Sequence, residues 1–305
     1  PRSTLFPYTP LFRSHPGRGF RLTLRRMGRW LLSRAGCDCP LCGARVAGAR
    51  LCAGCEADIC GGGFGQDGAS GGRAGEGMAG GGRSSGNGAI GASSVSSADS
   101  REAIMPGIAA RAEVPPRCRR CALRLRPGSP HCAACLGAPR AFSRTVAAFD
   151  YAPPADTLVL MLKTRLRLSM APVLARLIAA AVRRDGPLPD DALLVAIPAS
   201  SASLRQRGMN PAAEIARSLA AELELPLAHG LLRRLRETPR QTAQGRRARR
   251  LAAQGLFHCT GGVHGRQMVV VDDVMTTGST ADAAAAALLA AGAAGVTVLV
   301  AARTP

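Results

Sequence analysis

Lysine is almost missing from this chain: of 40 basic residues in 305, Lys163 is the single lysine and the others are arginine. A codon bias toward Arg, Ala and Gly explains which base is used. It does not explain why there are 40 bases against 20 acids. That shortage of acid leaves a formal net charge of +20 and a pI near 11.2, which attracts phosphate or nucleic acid whatever its sequence. Aromatic residues are also scarce, at 3%, so a core has to be built mainly from Ala, Leu and Val. No usable membrane span is present either. Residues 283–302 are uncharged and long enough to cross a bilayer, but they are mostly alanine. Ala291, Gly292, Ala293, Ala294 and Gly295 also punctuate them, as expected between a helix and a strand. The sequence does not open with a basic segment followed by an apolar one, so no secretory leader is read and a reducing, cytoplasmic setting is expected.

The length suggests roughly two domains. Residues 4–14, TLFPYTPLFRS, resemble the translation of a sequencing adapter. Residues 1–36 are therefore set aside as an artefactual or disordered N-terminus, with the start expected near Met27. Residues 61–100 contain 15 Gly and 8 Ser, too little large apolar surface to offset the entropy of ordering. The insert at 61–112 is accordingly expected to be disordered. From about residue 141 strands and helices alternate. Strands are expected at 145–149, 193–197, 268–271 and 296–301, and helices at 156–163, 171–184, 211–223 and 280–291. Strands apolar on both faces and separated by helices imply an α/β fold, a parallel sheet with flanking helices spanning 141–305.

Eight of the eleven cysteines form CxxC pairs. Cys39 and Cys42 are followed after nine residues by Cys52 and Cys55, and Cys118 and Cys121 after ten by Cys132 and Cys135. One unit thus occurs twice, at 37–60 and 113–140. Two CxxC turns supply the four thiolates of a closed tetrahedral shell, which points to structural Zn²⁺. Redox dithiols are the competing reading. The spacing leaves open whether each unit closes on itself or shares ligands across the insert.

The most specific segment runs Val269-Val270-Val271-Asp272-Asp273-Val274-Met275-Thr276-Thr277-Gly278-Ser279-Thr280. An apolar strand ends in two acids, and a short loop of hydroxyls and glycine opens into a helix. Amide groups at a helix start, aided by the helix dipole, form an anion cradle. Thr276, Thr277, Ser279 and Thr280 can add hydroxyl donors, and Gly278 allows close approach. Two acids at the carboxyl end of a parallel strand suit vicinal sugar hydroxyls.

This segment resembles the phosphoribosyl pyrophosphate signature of type I phosphoribosyltransferases. The paired cysteines in front, Leu162-Lys163, the run Arg205-Gln206-Arg207-Gly208-Met209-Asn210, and Thr238-Pro239-Arg240-Gln241 before Gly255-Leu256-Phe257 narrow the resemblance to the ComF family. It implies a small four-cysteine zinc ribbon ahead of a type I phosphoribosyltransferase-like domain. It also implies binding of phosphoribosyl pyrophosphate or a related sugar phosphate with Mg²⁺, and a link to single-stranded DNA and the DNA-uptake machinery of competence. Asp272 and Asp273 then act at the ribose, Met275, Thr276, Thr277, Gly278, Ser279 and Thr280 hold the 5′-phosphate, and Lys163, Arg205 and Arg207 face the sugar phosphate or pyrophosphate. The chain departs from the family pattern at Ser200, Met209, Pro211 and Ala252. The first three fall in or beside the stretch at 199–210 where the resemblance places a pyrophosphate loop, which favours binding over turnover.

Lys163 resists the drift to arginine, either because a compact ammonium is needed there or because a helix end favours any cation. The arginine-rich run at 233–250 is read either as a phosphate-binding loop or as a solvated basic face without stacking aromatics. Three functions remain: a phosphoribosyl transferase acting on a nitrogen acceptor, a binding protein handling single-stranded DNA or acting in regulation, and a structural zinc module.

Overall fold

The computed structural model describes residues 36–61, 116–125, 130–236 and 255–305. The N-terminal stretch read as an artefact, the Gly/Ser-rich insert beyond Gly61, and the arginine-rich run beyond Arg236 with Ala252 lie outside the described residues. The chain divides into a unit of Pro1–Gly63 with Val114–Pro305 and a second of Phe64–Glu113. All described residues belong to the first.

The elements of the cysteine-rich part are β1 (Gly36–Asp38), β2 (Arg45–Ala47), α1 (Ala53–Gly61) and α2 (Ala133–Leu136). There follow β3 (Arg144–Asp150), α3 (Asp156–Lys163), α4 (Met170–Asp185), β4 (Leu193–Ala196), α5 (Ser201–Arg207) and α6 (Pro211–Glu222). The chain ends with β5 (Leu227–Ala228), β6 (Leu232–Arg234), β7 (Phe257–Cys259), β8 (Gln267–Met275), α7 (Ser279–Ala290) and β9 (Gly295–Arg303). Strands β3, β9, β8, β4 and β5 form one sheet in that order, and every pairing in it is parallel.

Side chains alternate across a strand, so a strand apolar at every position must bury both faces. Val269 and Val271 of β8 and Leu299 and Ala301 of β9 pack with Leu158 of α3, Leu174 and Ile178 of α4, and Ile215 and Leu219 of α6. Their neighbours Met268, Val270, Val298 and Val300 turn to the other face, against Ala281, Ala284, Ala285 and Leu288 of α7 and against Leu232 and Phe257 of the β6–β7 hairpin. Each fully buried Leu, Ile or Val contributes about 1.5–3 kcal/mol. With so few aromatics, the small alanine face of α7 lets that helix lie close to the sheet, which fixes where its first turn sits.

Three local features differ from the sequence reading. Strand β8 continues through the acid pair to Met275, because its register with β9 runs on from Asp272 opposite Val300 to Met275 opposite Arg303. The stretch after Pro198 contains a short helix, α5, started by Ser200, whose hydroxyl accepts from the Ser203 amide, and closed by Gly208 at φ +69°. The β6–β7 hairpin has no counterpart in the sequence reading, its strands being three residues each.

The two cysteine units share one backbone design. The Cys39 amide donates to Ala44 and the Gly43 amide to Cys39; likewise the Cys118 amide donates to Leu123 and the Ala122 amide to Cys118. At the equivalent fifth position the backbone is left-handed, φ +75° at Gly43 and +57° at Ala122. Glycine adopts this freely, whereas alanine does so at a cost of roughly 1 kcal/mol. The first unit packs on α4, where Arg176 donates to the Ala49 carbonyl at 2.6 Å. The second caps the edge strand β3, with the Thr145 amide donating to Arg119 at 3.3 Å.

Candidate active site and metal centres

Parallel strands bring their carboxyl ends together, and the acid pair lies at that end of β8, one strand from the start of α5. The Lys163 ammonium, in the last turn of α3, contacts the Asp273 carboxylate at 2.8 Å, with side-chain exposures of 22% and 12%. The one lysine of the chain therefore serves a specific carboxylate rather than a solvated helix end. Asp272 accepts from the Asp273 amide at 2.9 Å. Burial first, and the charge of Asp273 second, push its carboxyl up to about 7, against the opposing effects of Lys163, the Asp273 amide and Arg234. The pair thus has one carboxylate matched by an ammonium and one held near its titration point, ready to gain from a hydroxyl donor or a cation.

The loop that follows is short and specific. Gly278 takes φ +78° at the N-cap of α7 and offers no side-chain cap of its own, while the Ser279 amide donates to the Thr277 hydroxyl at 3.4 Å. The first amides of a helix have no partner within it, so this N-terminus suits an anion. The hydroxyls of Thr277 and Ser279 lie 2.9 Å apart. Thr276 is exposed, Thr277 and Thr280 are half-buried and Ser279 is buried. Met275 differs from its neighbours, since its side chain is buried in the core beside α7 and its carbonyl accepts from the Thr304 amide at 3.0 Å.

Arg205 and Arg207 sit on α5, exposed and half-buried respectively. Among the described residues no hydrogen bond or ion pair joins them to the acid pair or the loop. Arg234, within the run at 233–250, lies over the Phe257 ring at 5.2 Å, donates to the Pro198 carbonyl at 3.3 Å and acts electrostatically on Asp272. Arg140 and Arg303 carry no signal in the sequence. Arg140 donates to the Thr277 carbonyl at 3.0 Å, and Arg303 to the Met275 carbonyl at 3.3 Å. Among so many arginines, only position after a CxxC unit or at a strand end marks these two.

The paired cysteines gather into two clusters, Cys39, Cys42, Cys52 and Cys55, and Cys118, Cys121, Cys132 and Cys135, with sulfurs all within 4.8 Å of one another in each. Each unit closes on itself, which answers the question left by the spacing. A zinc–sulfur bond of about 2.3 Å sets a tetrahedral edge of about 3.8 Å; Cys42 with Cys52, and Cys121 with Cys132, stand at 3.5 Å. The donor set and its size fit Zn²⁺. Burial raises the Cys118 thiol, but the amides of Cys121 and Cys132 and the His131 ring outweigh it and bring it down to about 6. Cys135 is pushed up by burial and by the thiolates beside it. A dication would resolve that conflict by stabilising all four thiolates together.

A cavity of about 750 Å³ lies elsewhere, lined by Arg117, Arg119, Arg124, Arg144, Arg184 and Thr145 among others. It runs along the edge strand β3, from Ser143 to Ala148, whereas the anion loop follows the carboxyl end of β8, two strands away.

The phosphoribosyl transferase domain family matches residues 205–305, which include the acid pair and the loop. The DNA utilization protein YhgH of Salmonella typhi is 36% identical over 190 residues, covering 61% of this chain and 84% of that protein. YhgH of Escherichia coli strain K12 is 34% identical over the same length and coverage. A purine phosphoribosyltransferase structure from Pyrococcus horikoshii aligns at 16% identity with a TM-score of 0.26, over 46% of this chain and 84% of that one, too slight a likeness to carry an argument. No helix among the described residues is long and apolar enough to cross a membrane.

Proposed function

The chain belongs to the ComF family, and on that premise we propose that it binds phosphoribosyl pyrophosphate, or a related sugar phosphate, at the carboxyl end of β8. The observation that carries this reading is the continuity of acid pair, left-handed Gly278 and the N-terminus of α7 within one segment, inside the region that matches the phosphoribosyl transferase domain. Each part meets one part of such a ligand. Amides and hydroxyls of Thr276, Thr277, Gly278, Ser279 and Thr280 receive the 5′-phosphate. Asp272 and Asp273 accept from the ribose hydroxyls and stabilise an electron-poor ring. Lys163 holds the Asp273 side chain in place, and Arg234 adds positive charge from the hairpin side.

The oxygen donors of the acid pair fit Mg²⁺, a hard cation that keeps most of its water. Bound with the ligand, it would neutralise the diphosphate as a leaving group. Arg205 and Arg207, on α5, would meet the diphosphate from the neighbouring strand's side. We further assign one structural Zn²⁺ to each cysteine cluster. Calorimetric titration of the full chain with phosphoribosyl pyrophosphate and Mg²⁺ tests the reading, and saturable binding is expected. A screen for pyrophosphate release with nucleobases then separates transferase from binder. Absence of binding with zinc fully loaded would overturn it.

A second reading, single-stranded DNA handling without catalysis, has its own support. Five arginines line the cavity beside β3, against Asp185 in the lining and Asp150, which is already engaged by Arg117 and Arg124. The relatives are named for DNA utilization. A backbone-binding surface of this kind would be independent of the sugar-phosphate site, so both activities could reside in one molecule.

A further inference from the structure

Two buried arginines join the second cysteine cluster to the anion loop, and the reading above gives them no task. Arg303, 7% exposed at the end of β9, donates from Nε to the carbonyl of Cys121, a member of that cluster, at 2.9 Å. From Nη1 it donates to the Met275 carbonyl at 3.3 Å, the Thr304 hydroxyl at 3.1 Å and the Thr304 carbonyl. Arg140 lies just beyond α2, which carries Cys135. From Nη2 it donates to the Thr277 carbonyl at 3.0 Å, and its Nη1 is 3.5 Å from Asp282. Asp282 also accepts from the Ala141 amide at 2.7 Å.

The two carbonyls held in this way flank Thr276. In a trans peptide the C=O and the following N–H point in opposite directions. Drawing the Met275 carbonyl toward Arg303 therefore aims the Thr276 amide away from it, and drawing the Thr277 carbonyl toward Arg140 does the same for the Gly278 amide. The arginines orient two donors of the cradle without touching a ligand. Arg303 has a second property. Its partners among the described residues are all neutral, although a buried guanidinium is costly without a counter-charge. The cluster whose Cys121 carbonyl it holds can supply one, since four thiolates around Zn²⁺ would carry a net charge of about −2. Among the described residues no hydrogen bond joins the first cluster to the anion loop, and its unit is tied through Ala49 to Arg176 on α4.

We propose that Arg303 and Arg140 are positioning residues of the anion loop, through which metal occupancy of the second cluster, but not of the first, is coupled to phosphate affinity at the loop. This rests on the reading of the loop as a phosphate site. Coupling between two ligands is reciprocal, so each can report on the other.

Arg303→Met and Arg140→Met, made in the full chain, keep side-chain length and remove the donors. Each is expected to weaken phosphoribosyl pyrophosphate binding about tenfold or more while zinc content stays at the wild-type level. Arg176→Met, tied to the first cluster, should stay within about twofold of wild type. In the reciprocal measurement, Zn²⁺ release to a chromogenic chelator is followed with and without phosphoribosyl pyrophosphate. Cys42→Ser, which retains the second cluster, assigns the phases. The ligand should slow release from the second cluster and leave the first unchanged, and Arg303→Met should abolish that difference. Unchanged affinity in a folded, zinc-loaded Arg303→Met or Arg140→Met, or equal effects on both clusters, would overturn the proposal. If Arg303→Met does not fold, Arg140→Met and the wild-type release experiment decide. A wild-type protein that holds zinc but binds no phosphoribosyl pyrophosphate would overturn the loop reading itself, a different outcome from binding without coupling.

Discussion

Asp272 is costly to the fold that carries it. Its carboxyl is pushed up to about 7 in the folded chain by burial and by Asp273, from an unfolded value of about 3.9. A carboxyl raised on folding favours the native state at low pH, and this contribution is lost as pH climbs between about 4 and 7. Asp272→Asn is therefore expected to raise stability by about 1–3 kcal/mol at pH 8 and to change it little at pH 4. Denaturant midpoints at the two pH values check this, and equal effects at both would show that the carboxyl is solvated. A site residue that costs stability is what a ligand-binding acid should be. Asp273 is matched instead by Lys163 at 2.8 Å; the sequence singled out this residue as the one lysine beside 39 arginines but gave no sign of its carboxylate partner. That same abundance hid Arg140 and Arg303, since arginine by itself marked nothing, whereas Arg234 belongs to the run at 233–250 that the sequence did single out.

At the scale of elements, the strand-turn-helix from β8 to α7 was legible because its apolar run, hydroxyl loop and alanine helix each follow one local rule. The end of β8 was not legible. Only pairing with β9 carries the strand through the acids to Met275, and pairing is a tertiary fact. The β6–β7 hairpin escaped for a similar reason, as three-residue strands have no periodicity to read. The alanines of α7 turned out to serve packing distance. Ala284 is fully buried against the sheet, so Ala284→Leu should cost about 1–3 kcal/mol by overpacking and should weaken sugar-phosphate binding by displacing the first turn. Thermal melts with a ligand titration test this. A variant with lowered stability and intact affinity would separate the helix body from its N-terminus.

For the whole molecule, the repeated CxxC spacing revealed two four-cysteine sites, while their closure within each unit became visible only in three dimensions. Protein purified without chelator is expected to hold about two Zn²⁺ per chain. Less than about half an equivalent by metal analysis would contradict the structural role. The basic excess was plain from composition, but the cavity beside β3 that concentrates it draws arginines from well-separated stretches of the chain, which no local pattern could show. Single-stranded DNA should bind with steep salt dependence. Arg119→Ala with Arg184→Ala should flatten that dependence by about 0.7 in log–log slope for each phosphate no longer neutralised, and an unchanged slope would place the DNA surface elsewhere.

The central claim is that the acid pair and the loop after it form a sugar-phosphate site, and one titration tests it most directly. Asp272→Asn with Asp273→Asn keeps side-chain size and hydrogen-bonding capacity but removes the charge that ribose hydroxyls and Mg²⁺ would meet. Charge-assisted hydrogen bonds are worth about 1.5–3 kcal/mol each, so losing two predicts at least ~100-fold weaker binding of phosphoribosyl pyrophosphate in a well-folded, zinc-loaded double variant. Affinity equal to wild type in that variant would mean that the two acids only terminate a strand, and the sugar-phosphate reading would have to be given up.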